Sequence, residues 1–428
     1  MSILNQGGQD WNERLRIVTE MMCELSVQTD PQEMVRAYGV RVRQLIPSDR
    51  MVSMSRRDLQ APWYRITRSN LWKEEVNPWK QTNRLPVFDR GLLGELIYSD
   101  KPTLIDQIKC PPDDPGAEYF AGMNSLVALP ILDGGEGLNM VVLMRKAPAA
   151  FDREKLPELV WMTNLFGRAT LNLVLRNQVQ DAYDEIDFEL KQVEDIQKSL
   201  LPPVLPKIAN MELAAYYQTS HRAGGDYYDF FPLPDDRWGI LIADVSGHGT
   251  PAAVMMAITH SIAHTQPGVA TPPSRMLTYL NAQLTRRYTG NTGSFVTAFY
   301  AIYDPKSREL IYASAGHNPP RLKRCEDGSM ASLDEVGGLP LGIMPDESYK
   351  EATHLLRPGD QIVFYTDGIT EAHNPRGEMY GLDRLDKVLE DCRVGATSLI
   401  DAVLTDLSAF TVGHPADDDR TLLVAKIH

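Results

Sequence analysis

Between residues 176 and 203 apolar side chains return every seven positions, at Val179, Ile186, Val193 and Leu200. Ala182 and Ile196 take the intermediate apolar position, and Asp, Glu, Gln and Lys fill most of the rest. A seven-residue apolar repeat is the seam of a coiled coil, weakened here by Glu189 at one seam position. A single amphipathic helix lying on a neighbouring domain would show a related stripe, so paired and solitary helices both fit. The helix must end at Pro202-Pro203, since proline removes a helical hydrogen bond and clashes with the preceding turn; Pro206 keeps the chain extended. The 428 residues are too many for one ordinary domain. This segment, 176–203, therefore reads as a linker between a domain over 1–175 and another over 204–428.

In the first part, helical periodicity runs from Trp11 to Leu45, through Leu15, Val18, Met22 and Leu25 and then Met34, Tyr38, Val42 and Leu45. Asp30 before Pro31 and Glu33 reads as a helix cap with proline at the first helical position. Strands are expected at Met51–Ser55, Leu126–Leu132 and Met140–Met144, the last two joined through Asp133-Gly134-Gly135. A further helix is expected from after Phe151 through Leu175. Helix, antiparallel strands and helix make an α+β unit of sensor size. Trp63, Trp72 and Trp79 are candidates to line a pocket, although core or loop-anchoring roles suit them as well.

The second part is rich in strands: Met211–Gln218, Asp226–Leu233, Trp238–Asp244, Phe295–Tyr303, Glu309–Ala315, Arg321–Cys325, Asp360–Thr366 and Thr421–Ile427. Helices are expected near Pro251–His264, Ser274–Tyr288, Leu382–Glu390 and Ser398–Phe410. Helices covering packed antiparallel sheets, an α+β sandwich, are the economical solution. An apolar fraction of 43% supports sizeable cores, and a net charge of −14 argues against a nucleic-acid partner. Four cysteines without close pairing suggest neither a disulfide framework nor a zinc knuckle. With no signal-peptide pattern and no apolar run near the roughly 18 residues that span a bilayer, a cytoplasmic chain without a membrane segment is expected.

Four acidic positions share a context. Asp226 opens a strand in Gly224-Gly225-Asp226-Tyr227-Tyr228-Asp229. Asp244 closes one in Ala243-Asp244-Val245-Ser246-Gly247-His248-Gly249. Asp367 closes another in Thr366-Asp367-Gly368, and Asp418 leads into the last strand from Asp417-Asp418-Asp419-Arg420-Thr421. Any one could be a turn or capping residue, and Asp-Gly is a common turn. Jointly, strand-end aspartates beside glycines can converge on a cleft. Hard Mg²⁺ or Mn²⁺ ions take oxygen ligands, and four carboxylates are about what two ions need to clamp a water for attack on phosphorus.

These motifs, GGDYYD, ADVSGHG, SAGHNPP, YTDG and DDDRT in that order, closely resemble bacterial PPM-type phosphatases of the sporulation and stress-response branch. Gln197-Lys198-Ser199-Leu200-Leu201-Pro202 looks like the usual approach to that domain. The resemblance implies an α-β-β-α sandwich, a serine/threonine protein phosphatase activity and two Mn²⁺ or Mg²⁺ ions. It assigns Asp244 as the bridging carboxylate, Val245 as a backbone-carbonyl ligand, Asp226, Asp367 and Asp418 as the remaining ligands, and Asp419 as an orienting residue. It implies a phosphorylated anti-anti-sigma protein of the STAS type as substrate. Arg222 is a candidate phosphate holder or a surface arginine. His248 is a candidate acid or part of the loop behind Asp244, and His317 reads as structural. Gly338-Leu339-Pro340-Leu341-Gly342 resembles a family loop and is expected to pack near the switch helices around Pro251–His264. The N-terminal part is similar to GAF domains in layout, which implies either a small-molecule or protein signal or a dimerisation module; the heptads would make the linker of a homodimer. A non-catalytic scaffold and a hydrolase of small phosphoesters are the competing functions.

Overall fold

The computed structural model describes residues 11–266, 271–290, 293–390 and 394–428. The side chains of Trp11, Val18 and Leu45, and the whole of Cys392, fall outside the described residues. Two compact units divide the chain, Met1–Tyr183 and Asp184–His428. No helix among the described residues is long and apolar enough to cross a membrane.

The first unit begins with the helices Trp11–Ser26 and Pro31–Leu45. Asp30 caps the second as its sequence suggests, accepting from the backbone amides of Gln32 at 2.7 Å and Glu33 at 2.9 Å. Six antiparallel strands follow, in the order Val87–Phe88, Tyr64–Ser69, Arg50–Ser55, Glu136–Arg145, Ser125–Asp133, Thr103–Ile105. The turn between Ser125–Asp133 and Glu136–Arg145 places Gly134 at φ +61° and Gly135 at +91°, a conformation that only glycine adopts cheaply at both positions. Alternation along Ser125–Asp133 buries both faces. Leu126 and Ala128 pack with Met54, Ile66 and Leu93, whereas Val127 and Leu129 pack with Phe151 and Leu159. Trp63 and Trp79 are partly exposed, while Trp72 packs against the core and lines a surface cleft of 350 Å³.

One helix of 45 residues, Leu156–Leu200, covers both the helix expected to end at Leu175 and the heptad segment. It stops where Pro202 follows. Val179, Ile186 and Ile196 on it are more than half exposed.

In the second unit two five-stranded antiparallel sheets stack. One has the order Ala352–Leu355, Glu309–Ala315, Val296–Asp304, Trp238–Val245, Tyr227–Pro232. The other has the order Met330–Ser332, Arg321–Lys323, Gln361–Tyr365, Arg420–Ile427, Met211–Gln218. Their inner faces share one core, in which Phe299 meets Phe364 edge to face at 5.9 Å. Thr250–His264 and Pro273–Leu284 cover the first sheet, and Leu382–Val388 and Ala396–Thr411 the second. This is the expected sandwich. The short strands Met330–Ser332 and Ala352–Leu355 escape the sequence reading because three or four residues carry no readable alternation. Cys325 is disulfide-bonded, against the expectation of four unpaired cysteines, while Cys23 and Cys110 are free.

Candidate active site

Antiparallel register places the end of one strand beside the start of the next, and this positions the aspartates in pairs. Tyr227 pairs with Ala243, so Asp226 and Asp244 stand at the same end of the first sheet. Tyr365 pairs with Leu422, so Asp367 and Asp418 stand together at one end of the second. Asp367 is the first residue of the short helix Asp367–Thr370, and Thr366 precedes it.

Hydrogen bonds join the two ends. The Thr366 hydroxyl donates to Asp226 Oδ2 at 2.7 Å and the Thr421 hydroxyl to the same oxygen at 2.6 Å. Thr421 in turn donates its amide to the Thr366 hydroxyl at 3.0 Å. In the other direction, Asp419 Oδ2 accepts from the Gly225 amide at 2.6 Å and Oδ1 from the Ser220 amide at 2.8 Å. Two glycines permit this closeness. A Cβ on Gly225 would lie 2.8 Å from the Val245 carbonyl oxygen, and one on Gly368 only 2.0 Å from that of Asp419.

The carboxylates act on one another's charge. Burial pushes Asp244 up to about 10, and Asp226, Asp367, Asp418 and Asp419 each push it further in the same direction. Asp226 is raised well above the usual carboxylate range by burial and by Asp419 and Asp367, against the two threonine hydroxyls that favour its charged form. Asp367 rises to about 6 through burial, Asp418 and Glu371. Asp418 rises through burial and Asp419, relieved by His248 and His221. A set of oxygen donors crowded until protons are hard to remove suits divalent cations, whose charge offsets the repulsion. The Val245 carbonyl oxygen faces Gly225, beside Asp226.

Other expected residues lie as follows. Arg222 pairs with Asp187 at the surface, donating at 3.0 and 2.9 Å to its two carboxylate oxygens. His248 is exposed in the loop that follows Asp244, and stacks on His221 at 4.7 Å. His317 is buried, with Nδ1 2.9 Å from the Thr297 hydroxyl and its basicity lowered to about 4 by burial. It links a strand to the loop after Glu309–Ala315, a structural role. The 338–342 loop packs on the second covering helix, where Asn281 Oδ1 accepts from the Gly342 amide at 2.8 Å and the Thr289 hydroxyl donates to the Gly342 carbonyl at 2.7 Å.

Three contributors carry no role in the sequence reading: Thr366 and Thr421, which stand inside the YTDG and DDDRT motifs, and His221, which stands outside every motif. Gln197, noticed only as part of the approach segment, is 3% exposed. Its side chain accepts from the Gly224 amide at 2.9 Å and donates to the Gly224 carbonyl at 2.5 Å and the Tyr217 hydroxyl at 3.0 Å.

Residues 234–428 match the family model described as Stage II sporulation protein E (SpoIIE). Phosphoserine phosphatase RsbU of Bacillus subtilis (strain 168) is 31% identical over 242 residues, covering 56% of this chain and 71% of RsbU. The chain belongs to the SpoIIE family of PP2C-type phosphatases. Protein IcfG of Synechocystis sp. is 26% identical over 284 residues, 60% of this SpoIIE-family chain and 44% of IcfG. The chain thus spans less than half of that relative's length. Among solved structures, the SiaA-PP2C domain of Pseudomonas aeruginosa has the same fold, with a TM-score of 0.50 and 23% identity over 58% of this chain and 98% of that one.

Proposed function

We infer that this protein is a metal-dependent phosphatase of phosphoserine or phosphothreonine in a partner protein. The observation that supports it most is the joining of two sheet ends by Thr366, Thr421 and Asp419, which gathers Asp226, Asp244, Asp367 and Asp418. These four carboxylates and the Val245 carbonyl would hold two Mn²⁺ or Mg²⁺ ions. Bound there, the ions supply a water acidic enough to attack phosphorus and positive charge for the phosphoryl oxygens. Thr366 and Thr421 hold Asp226 in one orientation and favour its charged form. Asp419 fixes the Ser220–Gly225 loop. His221 and His248, exposed beside Asp418, stand where an incoming phosphate would meet them.

The substrate class carried by the motif resemblance is a phosphorylated anti-anti-sigma protein of the STAS type, which suits a cytoplasmic location. Control by the N-terminal unit, GAF-like in layout, would pass along Leu156–Leu200. Support comes from the helix end itself, where Gln197 grips Gly224 and Asp187 pairs with Arg222, both just before Asp226. The exposed apolar positions Val179 and Ile186 fit a second copy of the helix. A rotation of paired helices would then shift the loop that carries Asp226.

The test is hydrolysis of a phosphoserine peptide with Mn²⁺ added or chelated, beside Asp244→Ala and Asp367→Asn. Loss of turnover in both variants and in chelator is expected; turnover that survives both substitutions eliminates the site. For control, Ile186→Asp with Val193→Asp should abolish dimers and regulated activity, and unchanged regulation refutes the linker role.

A further inference from the structure

Away from the carboxylate cluster, on the helix Thr250–His264, His260 and His264 lie one turn apart on the same face. That face is turned toward the strand Tyr227–Pro232, where Asp229 is buried. His264 Nε2 lies 2.7 Å from Asp229 Oδ2, and the two imidazole rings are 4.4 Å apart. One ligand atom from each of Asp229, His260 and His264 falls within 4.8 Å of the other two. His260 makes no hydrogen bond among the described residues.

We propose that Asp229, His260 and His264 form a separate transition-metal site of the zinc class, which clips the helix following Asp244 to the strand following Asp226. Two histidines at i and i+4 of a helix with one carboxylate from a neighbouring element is a donor set suited to zinc, leaving a fourth position for water. Imidazole nitrogens favour Zn²⁺, Ni²⁺ and Cu²⁺ over Mg²⁺. The oxygen-only cluster at Asp244 has the opposite preference, so the two sites would select different ions.

The surroundings fit. Asp229 is oriented from behind, since the Tyr227 hydroxyl donates to Oδ2 at 2.6 Å and the Phe230 amide to Oδ1 at 2.7 Å. Such partners fix a ligating carboxylate. Tyr227 packs on the His260 ring and Phe231 on the His264 ring, which restricts both imidazoles. The His264 side chain is 44% exposed, giving an ion a way in. Ligand atoms on a tetrahedral zinc stand about 3.3 Å apart, so the Asp229–His264 pair must open by about 0.6 Å. A small torsional shift of the His264 side chain within its rotamer suffices for that.

A plain Asp229–His264 ion pair is the competing reading, and it gives His260 no part. The full-length protein is stripped with chelator and titrated with Co²⁺, following the intense visible absorption of tetrahedral cobalt, and with Zn²⁺ in competition. The expected result is one Zn²⁺-displaceable tetrahedral ion per chain. His260→Ala and His264→Ala should each weaken it by about a hundredfold or more, since even partners behind a ligand are worth 10–100-fold. Asp367→Asn should leave this signal unchanged while removing the ion binding of the carboxylate cluster, which separates failure here from failure of the phosphatase reading. Absence of tetrahedral absorption, or absorption indifferent to His260→Ala, overturns the proposal.

Discussion

Replacing Gln197 with methionine removes its hydrogen bonds while keeping nearly the same volume. The buried amide and carbonyl of Gly224 then lose their partners together, and the Tyr217 hydroxyl loses a third contact. Each buried backbone group left unpaired costs roughly 1–3 kcal/mol, and water can reach the site only in part. The expected loss is therefore roughly 2–4 kcal/mol. Because Gly224 leads directly into Gly225 and Asp226, the same change should loosen the carboxylate cluster. By analogy with the residues behind metal ligands elsewhere, half-saturation with Mn²⁺ should rise by about tenfold or more. The assay follows phosphopeptide hydrolysis against Mn²⁺ concentration, and against urea to locate the midpoint at which activity is lost. Gln197→Met with an unchanged midpoint and an unchanged Mn²⁺ requirement would refute the claim that the helix end organises this loop.

Thr421→Val removes a hydroxyl that favours the charged form of Asp226 and so raises its pKa further; hydrolysis should need about tenfold more Mn²⁺ at neutral pH, and less of an excess as pH rises. In chelator the raised carboxyls act on stability with a definite sign. The folded form binds protons that the unfolded chain releases from 3.8 upward, so stability is greatest in acid and falls as pH rises through about 6 for Asp367 and towards about 10 for Asp244. Asp244→Asn should accordingly raise the melting temperature of metal-free protein near neutral pH while destroying activity, and a lower melting temperature would contradict the crowding described above. Phe364→Ala, at a fully buried contact between the sheets, should cost about 3–5 kcal/mol in denaturant midpoints, with activity per folded molecule preserved.

The site was legible to the extent that its chemistry sits in contiguous motifs. Asp226, Asp244, Asp367 and Asp418 each stand near glycine or in an acidic run at a strand end, and antiparallel register alone brings them together in pairs. What ties the pairs is not local. Thr421 and Thr366 have the same β-branched form as their strand neighbours, and only the stacking of two sheets reveals that their hydroxyls meet Asp226. Gln197 is one polar residue among many on a helix, and its burial depends on a loop nearly thirty residues away. Arg222 could be read either as a phosphate holder or as a surface arginine, because its partner Asp187 lies 35 residues away on the helix. The heptad pattern located the helix and its end at Pro202, yet could not show that it continues unbroken from Leu156, because residues 156–175 are apolar without a seven-residue repeat.

Diffraction from crystals soaked in Mn²⁺, recorded at the manganese absorption edge, locates the ions without reference to activity. Two anomalous peaks per chain are expected among Asp226, Asp244, Asp367 and Asp418, one within bonding distance of the Val245 carbonyl. Peaks confined to other carboxylates, with these four left uncoordinated, would contradict the account.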